Sequence, residues 1–183
     1  MVYPANNLPD TGHGGFIMSD KTLDIIKGAI LLEHRGRALY ETAVKSTDIP
    51  EVKELFQMMM EEEAKHVQLL NKQYSLISKG KGFDSSGMEN IQEETADSVL
   101  TKKVVKAISG SGFEAAVVSS ALELEKRAVE YYSKCEKEAN SDEEKKLFNW
   151  LVKWEKEHMM MLAQLDNEIK ENVWYDNNFW PLD

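Results

Sequence analysis

A chain of 183 residues, 30% charged and 42% hydrophobic, is enough for one well-buried domain, and with only 4 Pro and 10 Gly it favours a helical one. A net charge of −10 argues against a nucleic-acid binder, and no apolar run approaches the ~20 residues of a bilayer span. Cys135 is the single cysteine, which excludes an intrachain disulfide and a thiolate-rich metal centre.

Residues 1–18 are aperiodic and carry Pro and Gly, so they read as an extended leader. The leader lacks the charged and apolar regions of a secretory signal, so a cytoplasmic protein is expected. His13, set among Gly12, Gly14 and Gly15, reads as a solvated loop histidine. Ser19 then offers an N-cap, and Ile26, Ile30, Glu33, Tyr40 and Val44 follow at helical spacing to about Ser46. Asp48-Ile49-Pro50-Glu51 predicts a turn and a helix start in one, with Asp48 as cap and Glu51 reaching back.

The second helix places Leu55, Phe56, Met59, Glu63, His66, Leu70, Tyr74 and Ile77 on one side and stops at Lys79-Gly80-Lys81-Gly82. So short a connection makes the first two helices an antiparallel hairpin. Residues 80–110 read as a crossover from one end of a bundle to the other, with a lesser helix from Glu93 to Ile108. Ser111-Gly112-Phe113-Glu114 is a capping box for a third long helix to about Ala139. Asn140-Ser141-Asp142-Glu143-Glu144 caps a fourth, to about Lys170. Residues 171–183 form an aromatic tail (Trp174, Tyr175, Phe179, Trp180) that packs on the bundle or across a subunit boundary, and a homodimer is expected.

The two halves repeat. A shift of 92 residues superimposes Glu33 on Glu125, Tyr40 on Tyr132, Phe56 on Phe148, Glu63 on Glu155, His66 on His158 and Leu70 on Leu162. Residues 19–170 are therefore an all-α, pseudo-symmetric antiparallel four-helix bundle built from two helical hairpins with a long crossover.

Chemistry concentrates in Glu63-Ala64-Lys65-His66 and its copy Glu155-Lys156-Glu157-His158. Positions i and i+3 share a helix face, so each Glu and His can reach one point, and a carboxylate with an imidazole makes a metal half-site. Each copy has a further glutamate, Glu33 or Glu125, the same distance upstream. Composition alone would produce this doubled arrangement about once in a thousand such chains. Surface Glu/His pairs are common, but these lie on apolar faces: Phe56, Met59 and Leu70 flank Glu63, and Phe148, Leu151 and Leu162 flank Glu155.

Four buried carboxylates would repel and lose solvation at several kcal/mol each, roughly, unless cations compensate. Two divalent ions do so. Glu33 and Glu125 are expected as terminal ligands, Glu63 and Glu155 as bridges, and His66 and His158 as the ligands that complete one ion each. An oxygen-rich site with histidine suits Fe, Mn or Zn, and redox chemistry favours iron.

The doubled Glu plus Glu-x-x-His pattern resembles the ferritin-like superfamily of di-iron carboxylate proteins, and most the erythrin domain of rubrerythrins, over residues 20–80 and 111–170. The resemblance implies a di-iron oxidoreductase reducing hydrogen peroxide or oxygen. Two departures stand out. Rubrerythrins usually carry another glutamate one turn after the third-helix ligand, where this chain has Ala128 (symmetry mate Gly36), and they usually carry a Cys-rich rubredoxin domain. Electrons must then come from a separate carrier protein. The symmetric site also resembles bacterioferritin, which keeps ferroxidase and iron storage open, alongside a di-iron oxygenase and a bundle that uses metal only for stability. Tyr40 and Tyr132, two turns after Glu33 and Glu125, are candidates for hydrogen-bonding the ligand carboxylates, with a satisfied core tyrosine as the alternative. The Met58–Met60 and Met159–Met161 runs read as adaptable core filler and Cys135 as a small buried residue.

Overall fold

The computed structural model describes residues 20–84, 86, 88, 102–110 and 112–176. They form α1 (Asp20–Ser46), α2 (Pro50–Ser78), α3 (Lys102–Ser109), α4 (Gly112–Glu138) and α5 (Asp142–Asp176), with no strand among them. None of these helices is long and apolar enough to cross a membrane. The leader with His13 and Ser19, residues 89–101 of the crossover, Ser111, and residues 177–183 lie outside the described residues.

α1 packs along α2 and α4 along α5, and the two hairpins approach most closely through α1 and α4. α2 and α5 face each other through long side chains, with His66 against Trp150 and Trp154 and Glu62 against His158. α3 lies mainly on α5 and touches α2 and α4. This is the four-helix ferritin-like architecture that the duplicated pattern predicts, with α3 as an accessory helix in the crossover.

Local chemistry explains most ends. α2 stops where Gly80 takes a left-handed φ of 69°, with its N–H on the Ile77 carbonyl and the Lys81 N–H on the Leu76 carbonyl. Ser141 accepts the Glu144 N–H at 3.1 Å while the Glu144 carboxylate reaches back to the Asn140 N–H at 2.7 Å, a reciprocal cap on α5. The start of α2 departs from expectation. Its N-cap is Ile49, not Asp48, and no side chain caps it. Pro50 sets the first helical φ, needs no donor and pushes the residue before it into extended backbone, and the Ile49 N–H instead donates to the Thr47 hydroxyl at 3.3 Å.

Glu114, expected in a capping box, is buried and accepts the Thr47 hydroxyl at 2.8 Å, which ties the start of α4 to the α1–α2 turn. α5 also runs to Asp176, beyond the expected end near Lys170, so the tail begins as helix. The crossover is pinned where it leaves α2: the buried Gln73 side chain exchanges two hydrogen bonds with the Asp84 backbone, and the Trp150 indole donates to the Met88 carbonyl.

The core is split. One apolar layer holds Tyr40, Leu55, Phe56, Ala121, Leu162 and Ile169, closed by Val104, Val105 and Ile108 of α3. The other holds Ala29, Leu70, Ile77, Tyr132, Leu147 and Phe148. Residues related by the 92-residue shift fall in opposite layers, so the pseudo-twofold runs across the helices and exchanges the bundle's ends. Tyr40 stacks on Phe56 at 6.3 Å in one layer and Tyr132 on Phe148 at 6.4 Å in the other. Truncating either fully buried phenylalanine to Ala is expected to cost about 3–5 kcal/mol. Between the layers lies a band of buried carboxylates and imidazoles.

Candidate metal centre

Four long helices each aim their central turn at this band. Glu33 comes from α1, Glu63 and His66 from α2, Glu125 from α4, and Glu155 and His158 from α5, and none of the six is more than 5% exposed. They converge as two overlapping sets, Glu33, Glu63, His66 and Glu155, and Glu63, Glu125, Glu155 and His158. Within each set one ligand atom per residue lies within 4.8 Å of the others. Glu63 and Glu155 belong to both sets, the positions expected of bridges; Glu33 with His66 and Glu125 with His158 each belong to one.

The donor atoms face inward. Nδ1 of His66 is 3.0 Å from Glu33, 3.1 Å from Glu155 and 3.7 Å from Glu63. Nδ1 of His158 is 3.7 Å from Glu155 and 4.0 Å from both Glu63 and Glu125. Among the described residues, Nδ1 of His158 and Oε1 of Glu155 are buried without a well-formed hydrogen bond, Oε1 having only the 3.1 Å contact with His66. Buried polar atoms left unpaired are rare, and here two of them point into a cage of oxygen and nitrogen donors, the situation a cation relieves. The residues present suit two divalent ions, whose charge of +4 would balance the four carboxylates.

Electrostatics in the protein alone agree. Burial and the proximity of Glu33, Glu125 and Glu155 push the Glu63 carboxyl well above the usual range. Burial and Glu155 push Glu125 up as well. Burial would also raise Glu155, but His66 and His158 outweigh it and hold that carboxyl below the usual range. Burial disfavours charge on both imidazoles, yet the surrounding carboxylates raise His66 and His158 well above an ordinary histidine. A cation binding here would have to displace protons from these groups.

The two tyrosines are crossed. Tyr40 of α1 donates its hydroxyl to Glu125 of α4, and Tyr132 of α4 donates to Glu33 of α1. Burial and the nearby carboxylates raise both phenols, so they stay protonated as donors. His34 and Arg35 point to solvent, Arg127 pairs with Glu123, and Cys135 is buried. Met59 and Met161 are core residues, whereas Met160 is 66% exposed.

The rubrerythrin family model matches residues 24–166, a span that contains all six converging residues and both tyrosines. The chain belongs to the rubrerythrin family. A solved structure titled Hypothetical Protein Pfu-1136390-001 from Pyrococcus furiosus aligns over 82% of this chain and 90% of that one, at 22% identity and a TM-score of 0.58, and shows the same fold. No curated protein matches the chain.

Within this rubrerythrin-family site, three features escape the doubled motif. Glu62 accepts a hydrogen bond from Nε2 of His158 at 2.6 Å. Its place one turn before His66 hints at the centre, but its partner sits on the opposite hairpin. Trp150 and Trp154 stand edge-to-face against His66, at 5.7 and 5.5 Å. Gly36 makes room for a ligand, since a Cβ there would lie 3.2 Å from Cδ and Oε1 of Glu63. Beside Gly36, a cavity of about 10 Å³ reaches the four glutamates between Leu32, Leu124 and Ala128. That is about the room one water needs.

Proposed function

We propose that the protein is a di-iron oxidoreductase of rubrerythrin type that reduces hydrogen peroxide or oxygen, with electrons supplied by a separate carrier protein. The observation that carries this reading is the pair of overlapping four-ligand sets sharing Glu63 and Glu155. Glu33, His66 and the two shared glutamates would hold one ion, and Glu125, His158 and the same two glutamates the other. Two reduced ions so held would supply two electrons, one each, which with two protons would convert one peroxide to two waters.

The chain's own residues do the rest. Tyr40 and Tyr132 fix the terminal carboxylates by their hydroxyls. The two apolar layers exclude bulk water from either end of the site. The cavity between Gly36 and Ala128 has room for about one water-sized molecule and none for an organic substrate, which favours small oxidants over an oxygenase reaction.

A second reading, ferroxidase activity of bacterioferritin type, is favoured by one observation: Ala128 and Gly36 leave no fifth carboxylate beside the cavity among the described residues. Anaerobic loading with Fe(II), then stopped-flow mixing with peroxide or with oxygen, separates the two. Faster oxidation by peroxide and a homodimer in gel filtration are expected. Faster oxidation by oxygen with a cage-sized particle would overturn the peroxidase reading in favour of storage.

A further inference from the structure

The pseudo-twofold that relates the six converging residues breaks beside the two histidines. The symmetry mate of Glu62 is Trp154. On one side, Nε2–H of His158 donates to Glu62 Oε2 at 2.6 Å, and its Nδ1, facing the glutamates at 3.7–4.0 Å, has no hydrogen-bond partner among the described residues. A neutral imidazole that donates through one nitrogen presents a lone pair at the other, so Glu62 fixes the tautomer and ring orientation that a metal ligand needs.

On the other side, Nε2 of His66 is buried with no hydrogen-bond partner among the described residues. The ring instead meets the indoles of Trp150 and Trp154 at interplanar angles of 79° and 82°. Nδ1 of His66, the atom that faces the carboxylates, forms a 3.0 Å hydrogen-bond contact with Glu33. To offer that nitrogen to a cation, His66 must carry its N–H on Nε2, which no described residue accepts in a hydrogen bond and whose ring lies against two indoles, at best weak acceptors. A buried donor left unpaired is unfavourable, so the same ligand type is prepared in one half of the centre and not in the other.

Resting on the two-metal reading above, we propose that the two metal positions are unequal: the one completed by His158 binds more tightly and fills first, with Glu62 as its positioning residue. The cause is local to this chain, a carboxylate in one half where the other half has an indole. A hydrogen-bonded carboxylate behind a ligating histidine is generally worth 10–100-fold in metal affinity, so a separation of at least tenfold between the two steps is expected.

Anaerobic calorimetric titration of the metal-free full chain with Co(II), followed also by visible absorption, reads the two steps directly and needs no turnover. The wild type should bind two Co(II) in two resolved steps. Glu62→Gln, at a side chain 13% exposed, should keep the helical melting profile, weaken the tight step roughly 10–100-fold so that the two merge, and shift the absorption of the first ion bound. His66→Ala should retain the tight step, and His158→Ala only the weak one. Two equal steps in the wild type, a tight step untouched by Glu62→Gln, or a tight step surviving in His158→Ala would overturn the assignment while leaving the two-metal reading in place. Saturation below two Co(II) per chain would overturn both.

Discussion

Tyr132 of α4 donates its hydroxyl to Glu33 of α1, and its symmetry mate Tyr40 donates across the same boundary to Glu125. Glu33 and Glu125 are therefore each hydrogen-bonded from the opposite hairpin, and the band of buried carboxylates is assembled across the boundary between the hairpins. Tyr132→Phe removes the hydroxyl at a fully buried position and leaves the Glu33 carboxylate without that donor. The expected result is a loss of about 1 kcal/mol in denaturant unfolding of the metal-free protein. Metal binding at the Glu33 position should weaken by about tenfold or more. Wild-type affinity in the variant would show that the phenol is only core filler.

Gly36→Ala separates metal binding from stability. Alanine is a better helix former by about 1 kcal/mol, so the exposed-helix expectation is a gain. At this site the new methyl would sit 3.2 Å from Cδ and Oε1 of Glu63, and the glutamate must give way. Because Glu63 belongs to both ligand sets, both metal steps should weaken together while the melting temperature of the metal-free protein holds or rises. A variant that binds metal normally would mean Glu63 has slack that the packing does not suggest. Ala128→Gly, at the symmetry mate, should leave binding intact.

The convergence of these six residues was legible because the pattern is encoded twice. Duplication at 92 residues holds Glu33, Glu63 and His66 in register with Glu125, Glu155 and His158, and apolar neighbours at helical spacing turn those polar residues inward. Local stops such as Gly80 and the Ser141–Glu144 cap were legible for the same reason, being short-range chemistry. What sequence spacing could not show is anything that depends on how the hairpins dock. The crossing of the tyrosines, the reach of Glu62 to His158 and the Thr47–Glu114 bond all join residues 67 or more apart. Glu62 stands where its symmetry mate is Trp154, and the meaning of that break required the His158 contact. α5 overran its expected end because nothing between Lys170 and Asp176 breaks a helix; the next proline is Pro181.

Metal removal should invert the pH dependence of stability. In the protein alone Glu63, Glu125, His66 and His158 are all raised above their ordinary values. A raised group binds protons more tightly in the folded state, so its stabilisation is present below the unfolded pKa and is lost as pH rises through the folded one. Glu155, held low, acts in the opposite sense, but only as pH falls below the ordinary carboxylate range. The metal-free protein should therefore melt at a lower temperature at ~pH 8 than at ~pH 5.5. Metal displaces those protons, so the loaded protein should gain most over the metal-free one at the higher pH. Calorimetry at both values with and without chelator tests this, and a metal-free protein that grows more stable toward pH 8 contradicts it.

Cys135 should be inert under native conditions. Burial pushes its thiol up from 9.0 to about 11, and the neighbouring Tyr131 phenol is likewise raised to about 12. Thiolate is the reactive form, so alkylation by iodoacetamide at ~pH 8 should be at least tenfold slower in the folded chain than in denaturant. The rate should climb toward pH 11. Because the folded pKa lies above the unfolded one, this residue's contribution to stability is complete below 9.0 and declines as pH rises toward 11. Equal labelling of folded and unfolded protein would mean that α4 opens locally around Cys135.

Shared and unshared glutamates should differ in how many ions they control. Glu33 appears in one ligand set only, whereas Glu63 appears in both. Glu33→Ala deletes one carboxylate from the His66 set and leaves Glu63, Glu125, Glu155 and His158 intact, so one ion per chain should remain after reconstitution with Fe(II). Glu63→Ala takes a carboxylate from each set and leaves Glu155 alone to bridge, so occupancy should fall toward zero. Both variants remove one carboxyl group from the same buried band, so loss of a buried carboxyl alone could not split their metal content. Elemental analysis of the two proteins after desalting decides it. Equal metal content in both would show that Glu63 does not bridge.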